Sequence, residues 1–434
     1  MLKQIFKIVI TASLLILARL VLRKYKPRII AITGSVGKTS TKDAVYGVLS
    51  KFFFVRKSEK SFNSEIGIPL SILGCPNAWN NPLIWIKNIL DSLSLIINRK
   101  PYPAWLVLEV GSDRPGDIKK LTEWLLPDMN IITALPKIPV HVEYFSSPEA
   151  VNEEDTALAD VVKHDGFLVL NHDDPEVLAV KSKTKARVVT YGFTEGATLL
   201  GSHPLVLYEG EGKNKKPVGV TFKVDYDGNS VPVRIRGVLG RNPMYSGLAA
   251  LAAGKALGLN MITMIESLSS YETPPGRLRL IDGVKNTLLI DDTYNASPAA
   301  TETALNAIDE LVIKGRKIAV LGDMLELGKY STEEHLRIGE IAGKVCDILI
   351  TVGIRARRIA EGALISEMDE DNIFQFENSR EAGKYLEEII KPGDVALLKG
   401  SQSTRMEYAV LEVMLHPEDK GKLLCRQDEE WGKR

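Results

Sequence analysis

Residues 28–49 constrain the fold of this 434-residue chain more than any other stretch. Arg28 to Thr33 (RIIAIT) is a short β-branched run of the kind buried on both faces of a parallel sheet. It feeds Gly34-Ser35-Val36-Gly37-Lys38-Thr39-Ser40, and Thr41 to Leu49 reads as a helix. Strand, glycine loop and helix in that order aim backbone N–H groups and the positive end of a helix at one point. That arrangement suits the phosphates of ATP. Lys38 would reach the β- and γ-phosphates, and the Thr39 hydroxyl would hold Mg²⁺. Only two residues separate Gly34 from Gly37, so the loop is shorter than the usual Walker A sequence. The loop points to the nucleotide and says nothing of what receives its phosphoryl group.

The rest of the chain continues the α/β alternation. Buried strands are expected at Trp105 to Val110, Asn130 to Ala134 and Gly166 to Asn171, with helices between them. Residues 200–240 are Gly-rich and alternating, which predicts an antiparallel flank, and Tyr245 to Leu257 predicts an Ala-rich helix. Tyr271-Glu272-Thr273-Pro274-Pro275-Gly276 reads as a linker, because paired prolines suit neither helix nor strand interior. Beyond it, strands are expected at Thr287 to Ile290, Lys317 to Leu321, Ile348 to Val352 and Val395 to Leu398. Helices are expected at Pro298 to Ile313 and Thr332 to Val345. The expected organisation is an apolar and basic N-terminal helix (1–28), a P-loop-type central ATPase domain with a parallel sheet (29–272) and a Rossmann-like α/β domain (273–434).

Lysine plus arginine equals aspartate plus glutamate at 55 each, which gives no support to nucleic-acid binding. Cys75, Cys346 and Cys425 are odd in number and widely spaced, as expected of a reduced, cytoplasmic protein. The amino terminus departs from this soluble pattern. Ile5 to Leu22 is mostly apolar, and no small-residue cleavage site follows it. A short membrane anchor, an interfacial helix and a helix docked on the protein itself are the three readings, with hydropathy favouring membrane association, as anchor or as interfacial helix. Arg19, Arg23, Lys24, Lys26 and Arg28 outnumber Lys3 and Lys7, which puts the downstream chain on the cytoplasmic face if the segment inserts. Pro82 to Ile97 is a second apolar helix, with Leu83, Ile86, Leu90, Leu93 and Ile97 on one stripe and Lys87, Asn88, Asp91 and Ser94 on a narrow polar side. Packing of that stripe into the core is the simpler expectation; a second membrane-touching face is the alternative.

Further motifs occur in order along the chain. They are Asn63-Ser64-Glu65-Ile66-Gly67-Ile68-Pro69-Leu70, Glu109-Val110-Gly111, His141 followed by Phe145, and Asn171-His172-Asp173-Asp174-Pro175. After Gly276-Arg277 come Asp291-Asp292-Thr293-Tyr294-Asn295-Ala296-Ser297-Pro298, then Leu321 to Gly328 (LGDMLELG), His335, and Lys399-Gly400-Ser401 with Arg405-Met406-Glu407. With the short TGxxGKT/S loop, this series resembles the Mur ligases over residues 29 to about 410. It is most similar to members that join D-alanyl-D-alanine to a UDP-muramoyl-tripeptide, a peptidoglycan precursor.

The resemblance implies that Glu109 and His141 ligate Mg²⁺ near the γ-phosphate, with Thr39 on the nucleotide's own Mg²⁺. It implies that Arg277 contacts the γ-phosphate and that Asp292 and Asn295 hold the ribose and adenine side. The implied chemistry is activation of a carboxylate as an acyl phosphate, followed by attack of an amine. The pattern also departs from the family in four places. About 28 residues precede the first strand, where the family carries a UDP-gripping domain. Asp155 in Val151-Asn152-Glu153-Glu154-Asp155-Thr156 aligns with a lysine that other members carbamylate to hold Mg²⁺. Asn242-Pro243-Met244-Tyr245-Ser246 follows Gly240-Arg241 in place of His-Asn, and Thr133-Ala134 replaces Thr-Asn. These departures keep open a Mur-like ligase acting on a lipid-linked or polyglutamate-type substrate. A non-catalytic scaffold is disfavoured, since Lys38, Thr39, Glu109, His141 and Arg277 are all present.

Overall fold

The computed structural model describes residues 2–59, 62–210, 215–226 and 228–432, with residues 2–7 described by their backbone alone. The side chains of Lys3 and Lys7 therefore lie outside the described residues. The chain divides into two compact units: Met1–Leu135 with Ser147–Gly201 and Tyr245–Leu268, and Pro136–Ser146 with Ser202–Met244 and Ser269–Arg434.

The first unit is built on β1 (Arg28–Thr33), β2 (Val55–Lys57), β3 (Trp105–Glu109), β4 (Met129–Ile132), β5 (Phe167–Asn171) and β6 (Arg187–Gly192). All six run parallel in the order β2-β3-β1-β4-β5-β6. The parallel pairing explains the sequence of β3 (WLVLE), which is buried at every position. Because β1 connects to β2 on one side while β3 leads to β4 on the other, the strand order reverses around β1. Ligands of parallel sheets gather at such a switch, outside the carboxyl ends of the strands. Four helices matter here: α1 (Leu2–Tyr25), α2 (Lys38–Leu49), α3 (Gly67–Leu73) and α4 (Pro82–Ile97).

The N-terminal helix docks on the protein. Ile10, Leu14, Leu17, Ala18 and Val21 enter the same core as Ile68, Leu70, Trp85, Leu106 and Leu108. Among the described residues no helix is long and apolar enough to cross a membrane. The helix at 82–97 forms as expected, but the stripe expected in the core faces outward. Trp85, Asn88 and Ser92 are its buried residues. Asn88 can be buried because its amide donates to the Pro76 carbonyl at 2.9 Å, and the Ser92 hydroxyl donates to the Asn88 carbonyl at 2.6 Å.

The second unit holds β8 (Lys216–Tyr226) and β9 (Asn229–Arg236), antiparallel as the alternating pattern of 200–240 predicts. The preceding strand β7 (Leu199–Glu209) instead opens parallel to β6. Its larger sheet comprises β10 (Arg279–Gly283), β11 (Thr287–Asp292), β12 (Lys317–Gly322), β13 (Ile348–Val352), β14 (Ile373–Phe376) and β15 (Val395–Lys399). The order is β10-β11-β15-β12-β13-β14, parallel except for β10. The helix starting at Pro298, capped by Ser297, ends at Asp309 rather than Ile313. The chain turns there because Val312 N–H donates to the Tyr208 hydroxyl and Gly315 packs on the Gly393 backbone, where a Cβ would not fit.

Candidate active site

The phosphate loop leaves β1 with Gly34 at φ 107° and reaches α2 through Gly37 at φ 90°. Both conformations favour glycine. At Gly34 space adds a second reason, since a Cβ would lie 2.6 Å from Thr133 Oγ1. The loop is held by Ser35 N–H donating to the Ala134 carbonyl, and the Thr133 hydroxyl donates to the Thr33 carbonyl. Thr133-Ala134 thus shapes the loop from the end of β4. The Lys38 ammonium folds back onto the Gly34 carbonyl.

Strand register brings the carboxylate to the loop. Ile32 of β1 pairs with Glu109 of β3, so Glu109 ends its strand beside the start of the loop. It is 2% exposed, and one of its oxygens accepts from the Thr39 hydroxyl at 3.1 Å. The other lies 3.5 Å from the ammonium of Lys42, itself 1% exposed. Lys42 has no role in the sequence reading. Its signal was present: a lysine four residues after Lys38, on the same face of α2. Burying a carboxylate without a counter-charge is costly, and Lys42 supplies the charge. Asp155, 3% exposed, accepts from Ser35 Oγ of the loop at 3.0 Å and from Ser112 Oγ at 3.2 Å. Lys38, Thr39, Glu109 and Asp155 therefore all belong to the surroundings of one loop.

Thr39 and Glu109 meet as a hydroxyl and a carboxylate, the hard oxygen donors that Mg²⁺ prefers. Among the described residues no three His, Cys, Asp or Glu side chains gather as a metal cage. This donor set suits Mg²⁺ that keeps waters and nucleotide phosphates as its other ligands.

His141, Arg277, Asp292 and Asn295 lie in the second unit. His141 has φ 69°, and its Nδ1 is 2.7 Å from Glu326 Oε2. Glu143 N–H also donates to the Glu326 carbonyl, so the LGDMLELG segment fixes the histidine turn. Lys399 joins two expected site residues: its ammonium donates to Asp292 Oδ2 at 2.5 Å and to the Asn295 carbonyl at 2.9 Å. Burial holds the Lys399 pKa below its ordinary value against the pull of Asp292. Burial, with the neighbouring Asp292 charge adding to it, pushes Asp291 up to about 6 despite hydrogen bonds from Thr293 and Gly276. The Arg277 guanidinium stacks 4.1 Å from the Tyr294 ring centroid. From below, Arg426 donates to the Thr293 and Tyr294 carbonyls at 2.5 and 2.8 Å while paired with buried Glu407 at 2.7 Å. Nothing in the sequence near Arg426 announces that support, because it comes from over a hundred residues away.

Comparison with known proteins decides the family. The Mur ligase middle domain matches residues 93–254, and the Mur ligase glutamate ligase domain matches residues 276–402, together well over half of the chain. The chain belongs to the Mur ligase family. As a Mur ligase it is an ATP-dependent ligase. It is 28% identical over 402 residues to UDP-N-acetylmuramoyl-tripeptide–D-alanyl-D-alanine ligase of Bacillus subtilis, covering 92% of this chain and 79% of that one. The Escherichia coli enzyme of the same name is 25% identical, with 91% of this chain and 78% of that one covered. Among solved structures, MurF ligase from Thermotoga maritima in complex with ADP matches with a TM-score of 0.74. It is 26% identical, covering 93% of this chain and 83% of that one.

Proposed function

We propose that this Mur ligase adds D-alanyl-D-alanine to a UDP-muramoyl-tripeptide at the expense of ATP. The observation that carries the chemistry is the phosphate loop whose Thr39 hydroxyl meets the buried Glu109 carboxylate at 3.1 Å. The relatives that bear this activity in their names support the choice of substrate. The tripeptide's terminal carboxylate attacks the γ-phosphorus, ADP leaves, and an acyl phosphate forms. The amine of D-alanyl-D-alanine then attacks the acyl carbon. The tetrahedral intermediate collapses with loss of inorganic phosphate, and the ammonium proton passes to water.

Lys38 turns from the Gly34 carbonyl to the β- and γ-phosphates when nucleotide enters, and the loop N–H groups cradle them. Thr39 would hold the nucleotide's own Mg²⁺, and Glu109 and His141 are assigned to a second Mg²⁺ near the γ-phosphate; the two cations would offset the repulsion between carboxylate and phosphate. Arg277 is assigned to the γ-phosphate, and Asp292 and Asn295 to the ribose and adenine side. Asp155 takes the place of the carbamylated lysine of other members, offering a carboxylate directly. Asp155→Asn should raise the Mg²⁺ concentration needed for half-maximal turnover; an unchanged Mg²⁺ titration refutes this assignment.

The test of the whole reading is phosphate release from Mg²⁺-ATP with UDP-muramoyl-tripeptide, with and without D-alanyl-D-alanine, and Lys38→Ala as control. Release that needs both substrates, with a pentapeptide product by mass, supports the proposal. ATP binding without turnover transfers the same chemistry to another acceptor.

A further inference from the structure

The outward stripe of α4 is the feature that the ligase reaction leaves unused. Leu83, Ile86, Leu90, Leu93 and Ile97 are 74, 55, 60, 39 and 77% exposed, at three- and four-residue steps over some 21 Å of helix. A helix bound to its own protein normally turns such a stripe inward. Here the opposite side is fixed: Trp85 donates to the Trp79 carbonyl at 3.0 Å, and the buried Asn88 amide donates to the Pro76 carbonyl at 2.9 Å. The carboxyl end is pinned too. Lys24 of α1 donates to the Leu95 and Ile96 carbonyls at 2.9 Å, and the Tyr25 hydroxyl donates to the Leu95 carbonyl at 2.9 Å. The helix cannot roll its apolar stripe into the core without breaking these contacts. Beside it, α1 also leaves apolar residues uncovered, with Ile8, Val9 and Ile16 at 67, 55 and 59% exposure.

The charge around these helices selects the occupant. Residues 8–28 and 79–100 carry eight basic residues (Arg19, Arg23, Lys24, Lys26, Arg28, Lys87, Arg99 and Lys100) against one acidic residue, Asp91, in a chain whose formal net charge is zero. A second copy seated on the stripe would bring two basic belts together, which opposes self-association. Anionic headgroups over hydrocarbon complement both the belt and the stripe. Trp79, 40% exposed just before α4, is a residue type favoured at the headgroup level.

We propose that the apolar stripe of α4, with α1 beside it, is a docking surface for a bilayer containing anionic lipids, on which the protein lies without spanning. The proposal is independent of the acceptor that the ligase uses. Its test is co-sedimentation of the full chain with vesicles of phosphatidylcholine alone and of equimolar phosphatidylcholine and phosphatidylglycerol. The protein should pellet with the anionic vesicles, less so as salt rises. The triple variant L83Q/L90Q/I97Q changes only side chains at least 60% exposed, so it should keep the wild-type thermal midpoint. Its partition coefficient should fall by at least about ten-fold. Wild-type protein that stays in the supernatant with anionic vesicles at low salt overturns the proposal. Binding that the triple variant retains also overturns it. A dimer formed without vesicles and abolished by the same variant overturns it in favour of a second copy.

Discussion

Lys42 and Glu109 illustrate what single residues do inside the first unit. Each is almost wholly buried, and their charged groups stand 3.5 Å apart beneath the phosphate loop. Replacing Lys42 with methionine leaves the Glu109 charge without that counter-charge, which costs about 3–5 kcal/mol for buried pairs of this kind. Urea unfolding should register that loss, and Lys42→Met combined with Glu109→Gln should recover most of it. Asp394 makes a pH prediction at the same scale. Burial acts to raise its pKa, but hydrogen bonds from Arg316 and from Lys391 N–H outweigh it and hold the carboxyl below its ordinary value of 3.8. A lowered folded-state value stabilises the protein fully above the unfolded value, and that contribution disappears as pH falls through the folded value. Between about pH 6 and pH 3 the wild type should therefore lose more stability than Asp394→Asn in parallel urea titrations. Equal losses would remove Asp394 from the acid response.

At the scale of elements, the β1–loop–α2 unit depends on two other strands. Glu109 arrives through the register of β3, and Thr133-Ala134 at the end of β4 closes on Gly34. Gly34→Ala would place a methyl group 2.6 Å from Thr133 Oγ1 at a φ of 107°. ATP affinity should fall by about five- to 150-fold while the circular dichroism stays that of the wild type, since one strained turn costs about 1–3 kcal/mol. Calorimetric titration with ATP would check it. The loop at 291–297 depends on distant elements in the same way. Lys399 ties Asp292 to the Asn295 carbonyl, and Arg426 braces the Thr293 and Tyr294 carbonyls from the chain's end.

For the whole molecule, ligand binding and stability are linked. Mg²⁺-ATP binds the folded chain and not the unfolded one, so at a hundred times its dissociation constant it should add about 2.7 kcal/mol. A thermal shift series should show the midpoint rising with nucleotide for the wild type and staying flat for Lys38→Ala. A Lys38→Ala protein stabilised to the same extent would mean that ATP is held without the phosphate loop. The two units each have their own buried core, and the residues assigned to the reaction are divided between them.

The sequence by itself determined the local facts: the strand, glycine loop and helix at 28–49, the α/β alternation, and the ordered motifs that carry the family. These are written in neighbouring residues, through β-branched runs, glycines and helix periodicity. Tertiary structure decided what depends on distant partners. It placed Lys42 under Glu109, set Asp155 against Ser35 of the loop, and matched His141 with Glu326. It also decided which side of α4 faces the core. Periodicity finds an apolar stripe but not its direction, and here the hydrogen bond of Asn88 to the Pro76 carbonyl fixed the other side inward.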